Sequence, residues 1–164
     1  MANTNYRCYD VAGVDLYAVD TVPQFPLGTC VEGKSPTLGA GSFVYLLGVA
    51  STVEGSWATY DEVFATALLA ANAIGAVGIA LAANVASSYG WYQIRGKAAG
   101  KVAASFADNG LCYATATAGT ADDAAVAGDR VKGAIGRSAI DTPATGFAWI
   151  QLYADPLMDD GATA

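Results

Sequence analysis

No histidine occurs anywhere in the 164-residue chain. That absence removes Ser–His and Cys–His nucleophile activation, His-ligated zinc and the usual general base near neutral pH. Carboxylate chemistry would need two separated acids converging in a cleft. The acidic pairs here, Asp61–Glu62, Asp122–Asp123 and Asp159–Asp160, are sequence neighbours. In extended chain such neighbours point to opposite faces, and in turns they are solvated. No segment sets acids at alternate positions around a central glycine, as a calcium loop requires. Gly39-Ala-Gly41 and Gly75-Ala-Val-Gly78 lack both the Lys-Ser/Thr and the spacing of phosphate loops. The three cysteines, Cys8, Cys30 and Cys112, form no CxxC pair, so neither a zinc site nor a redox motif is indicated; a Cys8–Cys30 disulfide stays open. Together these absences predict a chain that is not an enzyme and takes no metal and no cofactor.

Charge is scarce as well. Charged residues make up 14% of the chain against the usual quarter, while hydrophobic residues reach 54%. Either much of the surface is covered by a partner or by copies of the chain, or small residues in a β-protein inflate the count. The net charge of −7 and pI of about 4.2 argue against a nucleic-acid partner, because phosphate contacts need clustered Lys and Arg. Arg95, Lys97 and Lys101 are the one basic grouping; on a strand the first two share a face and can pair with acidic neighbours. The start, MANTNYRCYD, has no apolar core, so no signal peptide is predicted and synthesis in the cytoplasm is the expectation.

The longest absence is internal. From Val63 to Ile94 the chain runs 32 residues without a charge. About 20 apolar residues can cross a bilayer, but this stretch is mostly Ala and Gly, contains Thr66, Asn72, Asn84 and Gln93, and has no flanking Lys or Arg on its N-terminal side. Gly75, Gly78 and Gly90 would each cost a helix about 1 kcal/mol relative to Ala. The tetrad LAAN recurs at Leu69–Asn72 and Leu81–Asn84, a strand-and-turn spacing. The run therefore reads as sheet and not as a membrane span. A short helix within 61–73 stays open.

What is present is a succession of short alternating segments. Strands are expected at 29–32, 43–50, 56–61, within 63–71, and at 77–83, 91–97, 101–106, 111–117, 131–135 and 147–153. Phe43–Ala50 is apolar on both faces and so central; Asp108-Asn-Gly110 signals a hairpin between 101–106 and 111–117; residues 120–129 form a small-residue loop. The prediction is an all-β fold, a compact β-barrel or sandwich of about ten short strands in residues 28–164, with an extended N-terminal arm over 1–27. The arm carries Tyr6, Tyr9 and Tyr17 among recurrent aspartates, then Pro23, Phe25 and Pro26. The two prolines force extended geometry. The arm lies across a surface, its own or a neighbour's, unless it is an ordinary edge strand and loop. In the last segment Ala148, Ile150 and Leu152 share one face, and Phe147, Trp149, Gln151 and Tyr153 the other. Either this strand is sandwiched centrally or its aromatic side meets a partner, since interfaces are enriched in aromatics.

The chain also resembles the small capsid decoration, or cement, proteins of tailed bacteriophages. The resemblance runs from Pro26-Leu-Gly to Asp160, about four-fifths of the sequence, through PLGTCVEG, GSFVYLLGVAS, LLAANAIGAVGIALAA, SSYGWYQIRGKAAGKV, YATATAG and GDRVKGAIG to the last strand and its Pro-Leu-Met-Asp-Asp tail. It implies a structural virion protein on the outer capsid surface, a homotrimer at threefold positions bound to the major capsid protein. Tyr6, Tyr9, Tyr17, Pro23, Phe25 and Pro26 of the arm, with Phe147, Trp149 and Tyr153, are the expected shell or intersubunit contacts. The rival reading is a carbohydrate-binding or adhesion β-sandwich in which Trp57, Trp91 and Trp149 form a stacking platform.

Overall fold

The computed structural model describes residues 5–158, and every regular element in that span is a strand. There are twelve: β1 (Arg7–Cys8), β2 (Val19–Asp20), β3 (Cys30–Ser35), β4 (Gly39–Leu47), β5 (Trp57–Tyr60), β6 (Thr66–Leu68), β7 (Gly75–Ala80), β8 (Tyr89–Lys101), β9 (Leu111–Ala114), β10 (Ala121–Asp122), β11 (Arg130–Gly136) and β12 (Phe147–Met158). The strand ladders are antiparallel and join into one sheet. The expected all-β class holds, and the uncharged run supplies β6, β7 and the start of β8. Both LAAN tetrads directly follow a strand, Leu69 after β6 and Leu81 after β7. Residues 61–73 hold no helix: Asp61 Oδ1 accepts the Val63 and Ala65 amides, closing a turn that feeds β6.

The sheet curls into two barrel-like rings that share β8. In the first, β4 pairs with β8, β8 with β7, β7 with β5 and β5 with β6, and a bridge from Ala65 to Leu47 returns to β4. Its interior is small, filled by Val44, Leu46, Ala58, Ala80, Tyr92 and Ile94. In the second, β8 pairs with β12, then β11, β9 and β10 follow, and Ala121 bridges back to Val102 just past β8. Ala98, Ala148, Ile150, Leu152, Val131 and Cys112 fill it, with Trp57 and Ile79 entering from β5 and β7. Alanine lets walls this close meet; bulkier side chains would overpack such an interior. β8 passes from one ring to the other at Gly96, whose φ of +95° and close approach to the Ala40 carbonyl leave no room for a Cβ.

Three expectations about local structure are corrected. The strand expected at 91–97 lies inside a longer one, β8 (Tyr89–Lys101), whereas of 101–106 only Lys101 belongs to a strand, Val102 makes an isolated bridge and 104–105 turn. The turn at Asp108–Gly110 exists, with Asn109 at φ 61°, but it makes no hairpin: β9 pairs with β10 and β11. The 120–129 loop contains β10.

The described part of the arm, residues 5–27, lies on its own domain. β1 pairs with the outer edge of β3, and β2 pairs with the start of β8. Between them the chain crosses the face of β3, β4 and β8 like a strap. Tyr6 and Leu16 are buried there with Val31, Phe43, Tyr45 and Trp91. β4 is thereby covered on both faces, as its apolar pattern requires.

Candidate docking surface

The strap holds its place through aromatic packing and a few hydrogen bonds. Phe25 meets Tyr45 edge-on and tilts against Trp91, with ring centroids 5.4 Å away in both cases. Tyr6 packs on Phe43 at 5.1 Å and donates its hydroxyl to the Lys97 carbonyl at 2.7 Å, while its own amide donates to the Tyr17 hydroxyl. The Tyr45 hydroxyl donates to the Asp20 carboxylate and receives the Gln24 amide. Burial, then the Asp20 carboxylate, push Tyr45 up to about 12; burial raises Tyr6 and Tyr17 as well.

The residues expected to make shell or intersubunit contacts fall in different environments. Tyr6 is only 4% exposed, and Tyr17 and Phe25 are half-buried against the chain's own sheet. Much of their aromatic surface packs against the chain's own sheet. Tyr9 (61% exposed), Pro23 and Pro26 remain outside.

The last strand does the opposite. Ala148, Ile150 and Leu152 point into the second ring, and Phe147, Trp149, Gln151 and Tyr153 lie on its outer face, half-buried to exposed. β12 is central within the sheet, between β8 and β11, yet only one of its faces is in the core. Across the ladder Lys101 stands opposite Phe147, Ala99 opposite Trp149 and Lys97 opposite Gln151. The Lys97 ammonium sits 4.9 Å from the Trp149 ring centroid, a cation–π contact. From the other side Arg137 donates to the Tyr153 hydroxyl at 2.7 Å and to Asn109 Oδ1 at 2.9 Å. Lys97 thus finds an aromatic ring where sequence reasoning expected an acidic neighbour. Arg137 was not anticipated at all: nothing in its sequence position, just beyond the 131–135 segment, told which strand it would flank.

A cleft of about 130 Å³ lies where strap and outer face meet, lined by Tyr6, Tyr17, Glu54, Gln93, Lys97 and Trp149. That volume is well below the roughly 300 Å³ at which small-molecule sites begin, so it suits a single inserted side chain better than a whole ligand.

The expected tryptophan platform does not form. Trp57 (0% exposed) and Trp91 (1%) are core residues on different elements, and Trp149 alone is half-exposed. Among the described residues no group of three Cys, Asp or Glu side chains is placed to hold a metal ion. None of the described elements is a helix long and apolar enough to cross a membrane. The three cysteines are free thiols, so Cys8 and Cys30 are not joined. No protein-family model, curated protein or solved structure matches this chain.

Proposed function

We propose that this chain is a structural virion protein that binds the outer surface of a tailed-phage capsid, as a trimer at threefold positions, and stabilises the shell through the major capsid protein. The observation that carries the reading is the outer face of β12. A strand at the centre of the fold keeps Phe147, Trp149 and Tyr153 on a side that its own chain leaves partly open, and such aromatic strips are interface material. The resemblance in segment order supports it, as does the scarcity of surface charge. The mechanism is physical clamping. Three linked contacts raise overall affinity through effective concentration, and binding only the expanded shell stabilises that state by mass action. The carbohydrate or adhesion reading loses its main support with the burial of Trp57 and Trp91.

Co-sedimentation with expanded heads of the parent phage tests the proposal, with light scattering of the free protein to establish the trimer. Trp149→Ala and Tyr153→Ala together are expected to abolish co-sedimentation while leaving the circular dichroism spectrum unchanged. Undiminished binding would remove β12 from the interface, and a monomer in solution would remove the trimer.

A further inference from the structure

The outer face of β8, β12 and β11 has a charge opposite to that of the molecule. Lys97, Lys101 and Arg137 surround Phe147, Trp149 and Tyr153, and the segments 96–101, 134–137 and 147–153 contain no Asp or Glu. Three of the chain's eight cations therefore stand on one face. Their partners within the chain are neutral: Lys97 lies on the Trp149 ring, and Arg137 donates to a phenol and an amide. Two carboxylates stand at the rim: Asp141 Oδ1 accepts the Gly146 amide, and Glu54 lines the cleft together with Lys97 and Trp149.

Resting on the docking reading above, we infer that this face takes an extended acidic segment of a protein partner, whose carboxylates meet Lys97, Lys101 and Arg137 while an apolar side chain enters the cleft beside Trp149. Charge complementarity selects the acidic class. The Lys97 ammonium over the Trp149 ring would compete with a pyranose for that face, which favours peptide over sugar.

The test titrates full-length protein with a ten-residue peptide of alternating Glu and Leu, with its Lys/Leu counterpart, and with a heparin oligosaccharide, following backbone amide resonances. Expected is binding of the Glu/Leu peptide alone, with shifts on β8, β12 and β11. That binding should weaken at least about tenfold between 0.1 M and 1 M salt, as the Debye length falls from about 10 Å to about 3 Å. The triple variant Lys97→Glu, Lys101→Glu, Arg137→Glu should lose it. Should that variant fold poorly, Lys101→Glu alone must still weaken the native interaction. Equal binding of the Lys/Leu peptide, binding of heparin alone, or no acidic-peptide binding would each overturn the inference. Co-sedimentation separates it from the docking reading: a charge-reversed protein that still binds heads refutes only the acidic partner, whereas a native protein that fails to bind heads refutes the docking itself.

Discussion

Two aromatic regions lie on opposite sides of one residue, Lys97. On one side Phe43, Tyr45 and Trp91 are sealed beneath the strap; on the other Phe147, Trp149 and Tyr153 are left partly open. The Lys97 carbonyl takes the Tyr6 hydroxyl and so marks the end of the strap, and its ammonium lies over Trp149 and so begins the open face. The two regions have similar residues, but the Tyr45 hydroxyl of the covered one meets the Asp20 carboxylate, whereas the open one is ringed by Lys97, Lys101 and Arg137. Aromatic content therefore does not identify an interface in this chain. What separates the two regions is whether the chain's own backbone passes over the aromatics.

The strongest way to break this contrast is to remove the cover. Deleting residues 1–25 takes away Tyr6 and Leu16 and uncovers Phe43, Tyr45 and Trp91. At about 1.5–3 kcal/mol for each large apolar side chain returned to water, the loss is comparable to the whole stability of a domain. The truncated chain is expected to lose cooperative thermal unfolding and to bind a hydrophobic dye. A truncated protein that melts cooperatively would show the strap to be an accessory and reopen its role as a contact arm.

How much of this was legible beforehand follows from what periodicity reports. Alternation in 147–153 showed which residues share a face, and the structure keeps that division intact. It could not say which face would be covered, because that depends on how β8, β12, β11, β9 and β10 close on one another, through pairings and the Val102–Ala121 bridge between segments distant in the chain. The same limit explains Trp57 and Trp91. Trp57 is enclosed by the second ring and Trp91 by the strap, both through contacts distant in sequence. The asparagine–glycine turn at 109–110 was visible, but its promised hairpin lost to the long pairing of β8 with β12. Short-range turn chemistry fixes a reversal of the chain without fixing which strands then pair.

A second test compares the same substitution on the covered side. Trp91→Ala is expected to cost about 4 kcal/mol, because a fully buried indole leaves a cavity between Tyr45 and Phe25. Denaturant unfolding reads this directly. A loss below about 1 kcal/mol would mean that the strap repacks and is less firmly seated than its geometry implies.

A smaller effect comes from the hydroxyl that ties the strap to β4. Tyr45 is raised to about 12 in the folded chain from its ordinary value near 10, so folding favours its neutral form. That contribution is complete below pH 10 and is lost as pH rises through 10 toward 12. Tyr45→Phe should cost about 1 kcal/mol at neutral pH, since Asp20 and the Gln24 amide lose their partner. It should also make the fall in melting temperature between pH 10 and 12 shallower. Buried Tyr6 and Tyr92 and half-buried Tyr17 and Tyr60 are raised too and keep part of the slope. An unchanged alkaline slope in the variant would place the sensitivity in those residues and not at the strap.

The smallest stability change is expected on the open side, and it completes the comparison. Trp149→Ala removes a half-exposed ring and the cation–π contact with Lys97, together about 1 kcal/mol or less. Nothing collapses beneath it, because Ala148 and Ile150 on the other face of β12 hold the ring of strands together. Trp91 and Trp149 are chemically identical, yet the first should matter to folding and the second to docking. Parallel melts of the two variants, each followed by co-sedimentation with expanded heads, measure both quantities on the same proteins. If Trp149→Ala destabilises the chain as much as Trp91→Ala does, the outer face is core in disguise and the distinction between covered and open aromatics fails.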